Sequence, residues 1–239
     1  MLAALCSQPN LPGRRALPLS ALLGVLPAIA LILCAATARA AEPATITFTL
    51  DFPTSDPDRY TISVTQAGHG KYECSAKISP ESDDRENYQA EFELSPAGRA
   101  RVFDLAAQAH FFAGKIDSGN RKLAFTGSKT LAYKDGEHST SATYNYSTVP
   151  PVQELTAFFQ NLSATLEFGR HLAYFHRYQK LALDEELKHM EDQARSNELS
   201  ELQAVQPVLQ QILDDQSVLN VVRARAERLL AMGKAAAGR

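Results

Sequence analysis

The chain has 239 residues, 24 of them basic and 27 acidic, for a net charge of −3, and 45% of it is apolar. That apolar content suits a globular protein. No basic stretch stands out to supply phosphate contacts, which argues against nucleic acid as a partner.

Residues 16–38 carry no charge, follow Arg14-Arg15 and lead into Ala38-Arg39-Ala40. A basic flank, an apolar run and a small-x-small end together predict an export signal cleaved after Ala40. The competing reading is an uncleaved inner-membrane anchor, because about 20 apolar residues span a bilayer. Either way the arginines stay on the cytoplasmic side and the rest lies outside, in the periplasm or beyond. Cys34 follows Leu33, which does not suit a lipobox, and the residues around Arg14-Arg15 favour general secretion over the twin-arginine route. Removing residues 1–40 takes away three basic residues and no acidic one, leaving a charge of 21 − 27 = −6. Cys74 is then the sole cysteine, so no internal disulfide can form. It lies in phase with Tyr72, Ala76 and Ile78, as a small buried apolar residue would.

From residue 46 to residue 146 the dominant period is two. Ile46, Phe48 and Leu50 alternate with threonines, as do Tyr60, Ile62 and Val64 with polar neighbours. Tyr72 to Ile78 and Tyr88, Ala90, Phe92 and Leu94 repeat the pattern. Each run predicts a strand with one buried and one wet face. Gly68-His69-Gly70 supplies a turn, and the acidic residues 81–86 separate the third run from the fourth. Ser95-Pro96 predicts a helix start with serine as N-cap, and Val102, Leu105, Ala106 and Ala109 follow at helical spacing. Further strands are expected at Leu123 and Phe125, at Leu131 and Tyr133, and at Ala142, Tyr144 and Tyr146, with Asp135-Gly136 as a hairpin turn. The prediction is an α+β domain: an antiparallel sheet of about five or six strands with one packed helix, over residues 41–149.

Pro150-Pro151 marks the change to an all-helical extension over residues 150–232, with residues 233–239 as a disordered tail. Leu155, Phe158, Phe159, Leu162 and Leu166 form one apolar stripe; Leu183, Leu187, Met190 and Ala194 form another. Gly169 lies between them, where close packing would be one reason for a residue that weakens a helix by about 1 kcal/mol relative to alanine. Ser196-Asn197 breaks the pattern, Pro207 should kink or divide the next helix, and a last helix is expected over residues 218–232.

The chemistry-bearing residues form no recognisable constellation. His171 and His176 are five apart, about 140° around a helix, unlike the four-residue spacing of a helical zinc pair. No Gly-x-Ser-x-Gly elbow, Ser-x-x-Lys or phosphate-cradling glycine loop occurs. No metal or cofactor is therefore expected. The aromatic set Phe158, Phe159, Phe168, Tyr174, Phe175 and Tyr178 cannot all occupy one stripe, and Arg170, Arg177 and Lys180 interleave with it. From these, Phe168, Arg170, Tyr174, Phe175, Arg177 and Tyr178 are the candidate ligand- or partner-binding residues.

The stretches Thr165-Leu166-Glu167-Phe168-Gly169-Arg170 and Arg177 to Lys188, with the strand-and-helix block over residues 60–112, resemble a set of uncharacterised exported proteins of soil bacteria. That resemblance implies export and no particular activity or site residue. The expectation is thus a non-enzymatic binding or assembly module of the periplasm or cell envelope, associating with a protein partner or with itself through its C-terminal helices. The alternatives are a periplasmic hydrolase using His110, Asp117 or His138 between sheet and helices, and a small-molecule or lipid carrier.

Overall fold

The computed structural model describes residues 43–77, 82, 84–120 and 122–237. The expected export signal, its membrane-anchor alternative and the two other cysteines lie outside these residues. Among the described residues no helix is long and apolar enough to cross a membrane.

Six strands form one antiparallel sheet: β1 (Thr45–Asp51), β2 (Arg59–Thr65), β3 (His69–Lys77), β4 (Arg85–Glu93), β5 (Ser128–Lys134) and β6 (Ser139–Tyr144), in the order β4-β3-β2-β1-β5-β6. The period-two pattern sets its two faces. Ile46, Phe48, Ile62, Val64, Tyr72 and Leu131 face inward and are fully buried. Threonines and serines face outward and bond across strands: Thr47 to Ser63 at 3.2 Å, Thr49 to Thr61 at 3.1 Å and Thr130 to Thr143 at 2.9 Å. The β2–β3 turn bends at Gly68, whose φ of +104° suits a residue without Cβ, so His69 and Gly70 already belong to β3.

The chain leaves β4 through α1 (Pro96–Gln108), capped by Ser95 Oγ accepting from Gly98 N at 3.0 Å. Glu201, far away in sequence, completes this cap by accepting from Ser95 N at 2.6 Å and from Ser95 Oγ at 3.0 Å. Leu123 and Phe125 are exposed and irregular, contrary to the strand expected there. Their segment is bonded to a side chain instead of a ladder: Thr126 N donates to Asn145 Oδ1 at 2.9 Å, and Asn145 Nδ2 donates to Ala124 O at 3.0 Å. Tyr146 likewise falls just beyond β6 and is exposed.

The helices follow as α2 (Pro150–Tyr178), α3 (Leu183–Arg195), α4 (Gln206–Asp214) and α5 (Asn220–Ala237). The first half of α2 lies on the inner sheet face with α1; the Phe159 ring stacks on Phe48 at 5.3 Å and 5° between planes. Its second half packs Phe168, Leu172 and Phe175 against α3, α4 and α5 in a second apolar cluster. Gly169 lets α2 approach residue 205, since a Cβ there would sit 2.6 Å from Val205 Cγ1. Pro207 divides the expected helix rather than kinking it: a 3₁₀ turn over Leu202–Val205 ends before it and Pro207 lies in the first turn of α4, where a proline needs no donor partner. The last helix runs to Ala237, with Gly233 buried inside it, so the tail expected from residue 233 is helical through residue 237. A buried carboxylate, Glu191 of α3, ties α5 down by accepting from Arg228 Nε at 2.7 Å and Arg225 Nη1 at 3.2 Å, and from Arg195 Nη2 of its own helix at 2.6 Å.

Candidate functional site

A cleft of about 400 Å³ opens between the β1–β2 loop and helices α2 and α3. Ser55, Asp56 and Pro57 supply the loop wall and Tyr60 of β2 part of the floor. Gln160, Ala164 and Phe168 line it from α2 at spacings of four, which puts them on one helix face. Glu186, His189 and Gln193 line it from α3. The volume falls in the range of small-molecule sites, and apolar walls with a few fixed polar groups are their usual makeup.

A polar network that crosses from sheet to helices lines the cleft at Ser163, Glu167, His171 and Glu186 and continues beneath it. Glu167 Oε1 accepts from Tyr72 OH at 2.7 Å and from Cys74 Sγ at 3.4 Å. Its Oε2 accepts from Arg170 Nε at 2.9 Å and Nη2 at 2.8 Å, while Arg170 Nη1 reaches Lys77 O at 2.9 Å. Because the Tyr72 proton points to Glu167, Ser163 Oγ at 3.3 Å donates to the Tyr72 oxygen. Arg170 can only donate, so the His171 Nε2 it meets at 3.1 Å is the unprotonated nitrogen. The His171 proton therefore sits on Nδ1 and goes to Glu186 Oε1 at 2.9 Å.

Burial and, second, the Glu167 charge push the Cys74 thiol up to about 12, so it is a protonated donor at neutral pH and not a nucleophile. Burial first and Glu167 second also hold the Tyr72 phenol far above its ordinary value. Burial alone would lower Arg170, but the Glu167 charge and hydrogen bonds outweigh it and keep the guanidinium charged. These groups form a set scaffold, with each proton assigned.

The six residues expected to bind fall in two places. Phe168 is buried at the base of the cleft, edge-on to the His189 ring at 5.5 Å, and Arg170 belongs to the network beneath it. Phe175 is buried in the second apolar cluster, with Tyr174 against it at 5.8 Å. Tyr178, 62% exposed, lies 5.2 Å from Tyr174 and carries the Arg177 guanidinium over its ring at 5.2 Å. This outer group forms a tip at the end of α2, next to Leu181, which is 87% exposed.

Sequence reasoning assigned no binding role to Tyr72, Ser163, Glu167, His171 or Glu186, although it weighed and set aside His171 as a metal ligand. Glu167 and Arg170 stand three apart on a helix, a spacing that could have been read as an ion pair. Their partners on β3 and α3 have no local signature. His110, Asp117 and His138 have separate surroundings: His138 Nδ1 faces Asp135, Asp117 accepts from Gly119 N at 2.7 Å and Asn145 N at 3.2 Å, and His110 is exposed in the turn after α1. His176 pairs with Asp215 at 2.9 Å, on a different side of α2 from the His171 pair. Among the described residues no three His, Cys, Asp or Glu side chains converge as metal donors. Comparison with known proteins returns no matching family model, curated protein or solved structure, so the functional reading rests on this geometry.

Proposed function

We propose that the chain is an exported, non-enzymatic binding module of the periplasm or cell envelope that holds a small ligand in the cleft between the β1–β2 loop, α2 and α3. The observation that carries this reading is the cleft itself, with Phe168 at its base and a network beneath it whose donors and acceptors are mutually satisfied. Glu167 has both oxygens engaged and Cys74 is held protonated, which suits a rigid floor better than a reacting group. Export is supported by residues 16–40, whose pattern is that of a signal segment. The exposed tip at Arg177, Tyr178 and Leu181 favours a second contact of the same module, with a protein partner or another copy.

Native mass spectrometry of the mature protein from its own envelope fraction tests both. A retained small molecule that is lost in Ala164→Phe, which fills the cleft from α2 and leaves every hydrogen-bonding side chain of the network in place, supports the cleft. A second chain lost in Leu181→Asp supports the tip. A natural-sequence protein that carries neither, or a small molecule retained equally by Ala164→Phe, would sink the cleft reading.

A further inference from the structure

A second cavity, of about 500 Å³, lies between the start of β5, the end of β6 and the first turns of α2. Its floor contains Lys129, which is 5% exposed. Lys129 pairs across the ladder with Leu50 and Tyr144, both inward-facing, so the strand register itself directs a lysine into the interior. Its ammonium donates to Thr126 O, Thr126 Oγ1 and Asn145 O, each at 3.0 Å, and to Gly127 O at 3.3 Å. All four are neutral oxygens, and among the described residues no carboxylate stands within ion-pair distance of it. Buried charges are ordinarily paired, because removing an ion from water costs several kcal/mol.

We infer that this cavity is an anion site, taking a small molecule whose carboxylate or phosphate supplies the counter-charge that Lys129 lacks. Three protons are shared among four oxygens, so an incoming oxyanion reaches the ammonium by taking the place of an oxygen of Thr126 or Asn145, the two partners that line the cavity. The surrounding polar groups are already fixed. Tyr144 OH and Thr156 Oγ1 are 2.5 Å apart, and Gln153 Nε2 donates to Tyr146 OH at 2.9 Å and to Ser147 O at 2.8 Å. Tyr146, 46% exposed, gives the rim an aromatic face for the body of the ligand. Burial also lowers the Lys129 pKa, the direction expected of an ammonium without a counter-ion. A lysine that only tied residues 126 and 145 together would bury a charge where a neutral donor suffices.

The test is calorimetric titration of the full mature chain with succinate and, separately, inorganic phosphate. Saturable binding of either probe is expected, and which one binds identifies the headgroup. Ala157→Phe fills the cavity while leaving Lys129 in place, and should weaken binding at least tenfold; Lys129→Met should do the same if it folds. Ala164→Phe, in the other cleft, should leave this binding unchanged, which separates the two sites. Failure of both probes to bind, or undiminished binding in Ala157→Phe, overturns the inference.

Discussion

Replacing Arg170 by methionine leaves the largely buried Glu167 carboxylate without its cation, while its acceptor oxygens keep only Tyr72 and Cys74. The loss comprises two charge-assisted hydrogen bonds at 2.9 and 2.8 Å and a third to Lys77 O. With Arg170 6% and Glu167 13% exposed at the side chain, solvent can replace little of this. We expect about 4 kcal/mol for Arg170→Met, about 3 for Glu167→Gln and about 4 for the double variant, a coupling of about 3 kcal/mol. Urea denaturation of the four proteins measures the cycle, and single effects that simply add would refute the network. The Cys74 thiol gives an independent readout of opposite sign. Glu167→Gln removes a charge that raises it and should speed its alkaline alkylation, whereas Arg170→Met removes one that lowers it and should slow the reaction.

Gly169→Ala should destabilise by about 1 kcal/mol, overpacking against Val205 by more than the helix gains, and should turn stabilising by about 1 kcal/mol in a Val205→Ala background. Urea midpoints decide it, and a stabilising Gly169→Ala in the natural background contradicts the close approach. Hydrogen bonding from Arg228, foremost, holds Glu191 below the ordinary carboxylate value of 4.5, despite burial acting the other way. Its stabilising contribution is therefore present above pH 4.5 and lost as pH falls through the depressed folded value. The stability gap between the natural protein and Glu191→Gln should narrow from neutral pH to about pH 3, and a constant gap would count against the pairing.

Much of the sheet could be read from the chain because one-sided burial imposes a period of two, Ser95-Pro96 starts its helix by capping it, and Asp135 turns the chain by accepting from Glu137 N and His138 N. Leu123 and Phe125 misled for the opposite reason: a short alternating pair says nothing about Asn145, some twenty residues on, which takes the hydrogen bonds a strand would have used. Of the cleft, Phe168 and Arg170 were legible as residues that break a simple stripe. Tyr72 and Cys74 were legible only as inward-facing, since their bonds to Glu167 span more than ninety residues. Lys129 had a signal that went unread, a lysine in phase with Leu131 and Tyr133 on an otherwise apolar face.

Helix α2 is one uninterrupted rod of 29 residues that contributes Leu155, Phe159 and Leu162 to the sheet's core and Leu172 and Phe175 to the helical one. Neither core can come apart while that rod stays whole, so loosening of one half is felt in the other. A single cooperative unfolding transition is therefore expected for residues 43–237 despite the two apolar clusters. Cutting the chain at Pro150 would strip the sheet of its cover instead of releasing an independent piece.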